Sequence, residues 1–272
     1  MLNNKKICII VFILIAVLAC DILFEVNFPK VNEVDIKSSK IKSEQEIRIV
    51  QISDLHNQKF FNNNKDLYQK IKAANPDFIA ITGDFIDKST SDYTYAYGVI
   101  DELLKINKNI YFVAGDHEQK NTRNILTGLV EKGVKVLNKS EVAFTKGGQS
   151  IYVYGLDYFN TNRDIDFIKN IPQNSFSILI LHNPDLAISN NEVKEDLILS
   201  GDTHGGQIRL PIVGAIAVPG QPLFPKYSKG LYKLGNGSLL YIDSGLGNTL
   251  MPIRFLNRSQ ISLIIINPIS GS

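Results

Sequence analysis

The sequence predicts an α/β fold for residues 47–268. Short runs rich in Ile, Val, Leu and Phe recur through this part of the chain, and stretches of helix length separate the first of them. Strands that alternate with helices are typical of a sheet with helices packed against it. The second half contains few helix-length stretches, which favours additional antiparallel strands there. No internal repeat or second linker divides these residues, so they are predicted to form one domain.

Residues 1–28 are predicted to be a membrane segment. Lys5 and Lys6 precede an apolar run of 14 residues, Ile7–Cys20, and apolar residues continue to Phe28 around two acidic ones. About 20 apolar residues are needed to span a bilayer. Two alternatives fit: an uncleaved signal anchor, or a signal peptide whose Val17-Leu18-Ala19-Cys20 resembles a lipoprotein cleavage site. The apolar residues beyond Cys20 favour the anchor. Under either alternative the lysines predict an N-terminus on the inside, so the bulk of the chain is expected on the extracytoplasmic side of the membrane.

The composition limits which partners and which cysteine chemistry the domain can have. The chain has 29 basic and 27 acidic residues and no strongly basic block, so no nucleic-acid partner is expected. Cys8 and Cys20 are the only cysteines, and both lie in the membrane segment. The domain therefore has no disulfide and no cysteine-ligated metal. Residues 29–46 are polar and rich in Lys, Ser and Glu, which predicts a stalk between membrane and domain.

The β-branched and apolar runs predict eight strands in the domain. They are Ile47–Ile52, Phe78–Ile81, Ile110–Val113, Ile151–Tyr154, Phe176–Leu181, Leu197–Leu199, Leu239–Ile242 and Ser262–Ile266. Three stretches between the early strands have helix length: Lys65–Ala74, Tyr93–Ile106 and Asn121–Lys132. This order is that of strand–helix–strand units followed by a more strand-rich half.

Five of these strands run directly into a polar cluster, and the clusters contain all four histidines of the chain. They are Ser53-Asp54-Leu55-His56, Gly83-Asp84-Phe85-Ile86-Asp87, Gly115-Asp116-His117-Glu118, His182-Asn183-Pro184 and Gly201-Asp202-Thr203-His204-Gly205-Gly206. Ligands in open α/β sheets collect at the carboxyl ends of strands. A single Asp after a strand is usually a turn residue, but turn chemistry does not explain five such clusters together. Carboxylates with imidazoles suit Mn²⁺, Fe²⁺ or Zn²⁺, and their number predicts two ions about 4 Å apart.

In this order the five clusters resemble the motifs of the calcineurin-like metallophosphoesterases. Two later segments resemble the membrane-anchored bacterial branch of that family: the run LFPKYSKGLY from Leu223, and Gly245-Leu-Gly-Asn followed by Pro252-Ile-Arg. The resemblance covers residues 46–267. It implies a four-layer α-β-β-α sandwich with a dinuclear metal centre.

The resemblance also assigns roles to individual residues. The implied metal ligands are Asp54, His56 and His204 for the first ion, His182 for the second, and Asp84 between both. His117 matches a histidine of the family that lies beside the phosphate and does not bind metal. Two positions depart from the commonest pattern, because Asp116 replaces an Asn and Asp202 replaces a His. Both are expected to bind the second ion as carboxylates, which leaves the metal open among Mn, Zn and Fe.

The resemblance implies hydrolysis of a phosphate ester, for which we expect a phosphodiester or pyrophosphate, and the constellation indicates the mechanism. Two cations lower the pKa of a water between them, so that hydroxide exists near neutral pH. His117, as imidazolium, is predicted to protonate the leaving alkoxide, oriented by Asp87 or Glu118. Three arginines are candidates for gripping the rest of the substrate, or else form ordinary ion pairs: Arg209, Arg254 and Arg258.

The membrane segment indicates a substrate among envelope lipids or cell-wall precursors, because the anchor confines the enzyme to that surface. Two alternatives remain. Asp116 and Asp202 are also compatible with a metal-binding protein of the same fold that has lost or weakened turnover. A phosphomonoesterase or protein phosphatase of the same fold is the other alternative.

Overall fold

Two six-stranded β-sheets form the centre of the domain. The structure, a computed structural model, describes residues 4–42, 44–118, 122–158, 172, 174–218, 221–249 and 252–269. In spatial order the first sheet contains β1 (Lys30–Ser38), β14 (Gln260–Pro268), β2 (Ile47–Ile52), β3 (Phe78–Ile81), β4 (Ile110–Phe112) and β5 (Lys135–Val136). The second contains β12 (Gly230–Lys233), β13 (Leu239–Ile242), β9 (Leu197–Ser200), β8 (Phe176–Leu181), β7 (Gln149–Leu156) and β6 (Ser140–Lys146). A short hairpin joins β10 (Arg209–Leu210) to β11 (Gly214–Ala215).

Most neighbouring strands are parallel. In the first sheet β2, β3, β4 and β5 pair in parallel, and β14 is antiparallel to β2. In the second sheet β7, β8, β9 and β13 pair in parallel. The antiparallel pairs of the second sheet lie at its edges, where β6 pairs with β7 and β12 with β13. The strand β14, also in the second half of the chain, is the antiparallel strand within the first sheet.

Helices cover the outer faces of the two sheets. Three of them, α2 (Lys65–Ala73), α3 (Thr94–Ile106) and α4 (Thr122–Glu131), pack on the first sheet through buried residues such as Ile71 and Ile100. The inner faces of the two sheets share one core, in which Phe78 and Tyr111 meet Ile178. The outer face of the second sheet carries α5 (Asp185–Ser189). This layering confirms the predicted α-β-β-α sandwich.

The N-terminal helix α1 (Asn4–Asn27) is continuous and projects from the domain. Within the described residues it is the one helix long and apolar enough to cross a membrane, and its apolar window is not buried against the rest of the chain. The helix runs through Cys20 without a break.

The prediction of a stalk over residues 29–46 is wrong for its first part. Lys30–Ser38 forms β1, the edge strand of the first sheet, and pairs with β14 along nine residues. Only Ile36 of this strand is buried. Edge strands contact the core weakly and carry charged side chains, so the segment has the composition of a linker although it is part of the sheet.

Candidate metal centre

The five polar clusters meet at one edge of the sandwich. The carboxyl ends of β2, β3 and β4 lie there beside those of β8 and β9, because these strands are parallel within each sheet. Backbone hydrogen bonds tie the clusters together. The His56 N–H donates to the Asp84 carbonyl over 3.0 Å. The Asp202 N–H donates to Asp54 Oδ1 over 3.1 Å. The structure thus brings residues from both sheets into one site.

A first group of potential ligands consists of Asp54, His56 and His204, all buried. One ligand atom from each lies within 4.8 Å of the others. The Nε2 atoms of the two histidines face each other at 3.2 Å, and His204 Nε2 lies 3.6 Å from Asp54 Oδ1. Two imidazoles and a carboxylate converging in this way match the donor set of a divalent transition metal.

A second group consists of Asp116, His182 and Asp202. The His182 ring is fully buried, and its Nδ1 donates to the Thr82 carbonyl over 2.7 Å, which fixes the tautomer. Its Nε2 therefore points to the carboxylates, 3.6 Å from Asp116 Oδ1 and 3.4 Å from Asp202 Oδ1. These distances exceed a normal hydrogen bond, and they leave a buried nitrogen with space for an ion between it and the two acids.

Asp84 lies between the two groups. Its Oδ2 is 3.5 Å from His56 Nε2 in the first group and 3.4 Å from His182 Nε2 in the second. Its Oδ1 accepts the backbone N–H of His117 over 2.9 Å. One carboxylate therefore reaches both groups.

The backbone around the site is strained. Five of the potential ligands have a positive φ: Asp54 (50°), His56 (45°), Asp84 (51°), Asp202 (71°) and His204 (48°). Such conformations cost energy in non-glycine residues, and they concentrate at functional sites. Close packing also requires glycine at two positions beside the ligands. A Cβ on Gly115 would lie 2.1 Å from Asp84 Oδ1, and one on Gly201 would lie 1.8 Å from Ser53 Oγ.

Asp87 approaches the Nδ1 atoms of two imidazoles. Its Oδ1 is 3.0 Å from His56 Nδ1 and 3.7 Å from His117 Nδ1. Glu118 has a different role, because its buried carboxylate accepts the backbone N–H groups of Asp84, Phe85 and Gly115. Of the two acids considered for orienting His117, Asp87 is thus the one within reach, while Glu118 holds the loops.

Sequence reasoning missed Lys88. Its Nζ lies 2.5 Å from Asp116 Oδ2, so the Asp116 carboxylate is shared between Lys88 and His182. The only signal was the position of Lys88 beside Asp87 in the cluster that follows β3, and a lysine in a surface loop is ordinary.

Burial and mutual charge shift the pKa values of the site residues in opposite directions. Burial raises the pKa of Asp54 to about 7. Burial would lower the pKa of His182, but the charge of Asp84 and the contacts with Asp116 and Asp202 raise it well above its ordinary value. The pKa of His204 is lowered well below its ordinary value by burial and by the charge of His56. Such divergent shifts in one cleft are typical of functional sites.

The three candidate arginines have structural partners. Arg254 is fully buried and donates to the carbonyls of Ser244, Gly247 and Asn257. Its predicted substrate-binding role is wrong, because its guanidinium has no access to a substrate.

The other two arginines are partly accessible. Arg209 is half-buried and donates to the Gly205 carbonyl over 2.8 Å, beside His204. Arg258 donates to the Phe28 carbonyl, at the end of α1. Arg209 therefore borders the site, whereas Arg258 belongs to the junction with α1.

Comparison with known proteins identifies the family. The calcineurin-like phosphoesterase family matches residues 47–206. The metallophosphoesterase YkuE of Bacillus subtilis (strain 168) is 32% identical over 249 residues, which are 88% of this chain and 86% of that protein. YkoQ of the same organism is 27% identical over 86% of this chain and 88% of its own length. A transmembrane protein with a metallophosphoesterase domain from Danio rerio is 26% identical over 88% of this chain and 57% of its own length. The chain therefore belongs to the calcineurin-like phosphoesterases and is a metal-dependent hydrolase of phosphoric esters.

Proposed function

We propose that this enzyme hydrolyses a phosphodiester or pyrophosphate bond at a centre of two divalent ions. The observation that carries the proposal is the position of Asp84, whose carboxylate reaches both ligand groups. The first ion would be held by Asp54, His56 and His204, the second by Asp116, His182 and Asp202, and Asp84 would contact both.

The residues present fit such ions. The buried Nε2 of His182 has carboxylate oxygens of Asp84, Asp116 and Asp202 at 3.4 to 3.6 Å, which is the arrangement of a ligand set rather than of a hydrogen-bonded network. Three imidazoles and four carboxylates suit Mn²⁺, Fe²⁺ or Zn²⁺. Metal binding would displace the proton that these acids otherwise hold on His182.

Two divalent ions, when bound, lower the pKa of water and neutralise phosphate oxygens. The other contribution comes from His117, which is half-buried beside the ligands, with Nε2 3.9 Å from Asp84 Oδ2. The contact with Asp87 and the charges of Asp84 and Asp116 outweigh burial and raise the pKa of His117. These contacts favour the imidazolium form, from which His117 would give its proton to the leaving oxygen.

The proposed site of action is the outer surface of a membrane. The helix α1 supports this location by its length and exposed apolar faces, and the two lysines at its start favour an inside N-terminus. The continuity of the helix through Cys20 favours an uncleaved anchor over lipoprotein processing. An enzyme held in this way would meet lipid-linked or wall-linked phosphate esters.

The Asp84→Asn variant tests the dinuclear centre. We expect it to lose at least one bound ion and its activity on an aryl phosphodiester while its circular dichroism is unchanged. Asp185→Asn is the matched control, because Asp185 is an exposed carboxylate near Asp202 that belongs to neither ligand group. Full metal content and full rate in Asp84→Asn would contradict the proposal. One ion without turnover in the wild type would instead support a metal-binding protein.

A further inference from the structure

The junction between the membrane helix and the domain is fixed by hydrogen bonds. The Ser259 N–H donates to the Glu25 carbonyl over 2.9 Å, and the Asn257 N–H donates to Glu25 Oε2 over 2.9 Å. Glu25 and Val26 are buried at this contact. The first strand begins at Lys30, so two residues separate helix from sheet. The domain is therefore held in one orientation relative to α1.

Apolar side chains continue from the helix onto the domain. The rings of Phe24 and Phe28 stack at 5.3 Å, and Phe28 meets Phe61 of the domain at 5.3 Å. The guanidinium of Arg258 lies 4.4 Å from the centre of the Phe24 ring. All three rings are exposed. The apolar surface of α1 thus does not stop where the domain begins.

Further exposed apolar residues lie on loops bonded to this junction. We call them the apolar rim: Leu210, Ile212, Val213, Leu223, Phe224 and Leu256. Ile212, at the tip of the β10–β11 hairpin, is completely exposed. The Arg209 N–H donates to the Phe255 carbonyl over 3.0 Å, and the Phe224 N–H donates to the Ile216 carbonyl over 2.9 Å. These bonds join the rim to the segment that holds the end of α1.

The same loops border the metal centre. The hairpin follows His204 closely in the chain, and Arg209 Nη1 donates to the Gly205 carbonyl. The Asn257 side chain donates to the His204 carbonyl over 2.7 Å. Exposed Lys226 follows Phe224 by two residues, where a cation would meet anionic lipid head groups. Soluble domains rarely expose large apolar patches, and the rim adds six exposed apolar side chains to the exposed rings of the junction.

We propose that the apolar rim is inserted in the bilayer beside α1, so that the metal centre opens at the level of the lipid phosphates. The substrate is then a phosphate ester of a membrane amphiphile, which reaches the site without leaving the bilayer. This inference rests on the proposed membrane location, and it adds that the domain itself contacts the lipid.

The absence of tryptophan from the sequence provides a direct test. Single tryptophans would be introduced into the full chain as Ile212→Trp, Leu14→Trp in the membrane helix, and Val130→Trp on α4, where Val130 is exposed. Each variant would be reconstituted in phosphatidylcholine–phosphatidylglycerol vesicles with or without acyl-chain bromination. Brominated lipid should quench Ile212→Trp and Leu14→Trp and leave Val130→Trp unchanged.

The controls distinguish insertion of the apolar rim from insertion of α1. Quenching of Leu14→Trp with none of Ile212→Trp would overturn the inserted rim while leaving the membrane anchor intact. No quenching of Leu14→Trp would overturn the anchor itself, and the rim with it. A dimer in detergent that Ile212→Asp separates, together with an unquenched Ile212→Trp, would assign the rim to a second copy of the chain and also overturn the proposal.

A kinetic experiment addresses the substrate class. Replacement of one bilayer-inserted apolar side chain by a charged one should weaken binding of the rim to the bilayer by about tenfold or more. Ile212→Asp should therefore lose activity on a phosphodiester lipid in vesicles and keep its rate on a soluble aryl phosphodiester. Val130→Asp is the control and should keep both. Equal activities of Ile212→Asp and wild type on the lipid, or equal losses on both substrates, would overturn the assignment.

Discussion

Replacement of Arg254 by methionine should destabilise the domain without a specific effect on substrate binding. The guanidinium is fully buried, and its Nη2 donates to the carbonyls of Ser244 over 2.8 Å and Gly247 over 2.6 Å. Its Nη1 donates to the Asn257 carbonyl over 3.1 Å, and its Nε to Asn248 Oδ1 over 3.2 Å. Arg254 thus joins the loop after β13 to the loop before β14.

The expected loss of folding stability in Arg254→Met follows from these contacts. Arg254→Met leaves three backbone carbonyls without a donor, at about 1 kcal/mol each, which gives about 3 kcal/mol. Burial lowers the pKa of Arg254 to about 10, so the charge itself is costly, and its removal recovers part of this loss. For a chain of this size 1 kcal/mol lowers the melting temperature by about 2 to 4 °C. The full loss therefore corresponds to a decrease of about 6 to 12 °C.

Thermal unfolding of the full chain in detergent, followed by circular dichroism, measures this change. Lys233→Met is the control, because Lys233 is an exposed cation on β12; its effect should stay within about 0.5 kcal/mol. Kinetics on an aryl phosphodiester below the melting temperature should show no increase in KM specific to Arg254→Met. An unchanged melting temperature with a raised KM would refute the reasoning and restore a role in substrate binding.

Other predictions concern the proposed proton donor His117, the second ion and the buried carboxyl group of Glu195. His117→Ala should keep its metal content and slow poor leaving groups by about 10²- to 10⁴-fold more than good ones; equal losses for both would indicate a ligand. Asp202→His should shift the activity of reconstituted apo-protein from Mn²⁺ towards Zn²⁺, since an imidazole replaces a carboxylate, whereas an unchanged ranking would remove Asp202 from the ligand set. Burial raises the pKa of Glu195 from 4.5 to about 7, so the folded state favours the neutral acid and loses stability as pH rises through this interval. Glu195→Gln should therefore match the wild type in urea unfolding near pH 4.5 and exceed it at pH 8 by up to about 3 kcal/mol; a constant difference at both pH values would contradict this.

The central strands could be predicted because both of their faces are buried. Ile47–Ile52, Phe78–Ile81, Phe176–Leu181 and Leu239–Ile242 have the bounds expected from the sequence. Strands in the middle of a covered sheet are nearly continuous apolar runs, which makes them visible in a sequence. The edge strands β1 and β6 expose alternate residues to water and carry many polar side chains. Their pairing depends on distant partners, which composition alone does not indicate.

The potential ligands could be predicted for a related reason. Each follows a recognisable strand, and parallel strands bring their carboxyl ends together. The residues that surround the ligands were harder to predict from the sequence, because their positions depend on contacts between segments far apart in the chain. Arg254 has the charge of a phosphate-binding residue, and only the fold shows that three carbonyls enclose it. The ion pair of Lys88 with Asp116 likewise joins two different loops.

The pairing of the first strand with the last has a consequence for biogenesis. β14 lies between β1 and β2, so β1, the strand that follows α1, has no partner until residues 260–268 have been synthesised. Contacts between distant parts of a chain form slowly, and an open strand edge in the meantime invites association with other chains. A chain that ends before residue 260 would contain every predicted metal ligand and still lack the strand that joins the two parts of its first sheet. We therefore expect that such nascent chains depend on protection of the open edges of β1 and β2 until residues 260–268 have been synthesised.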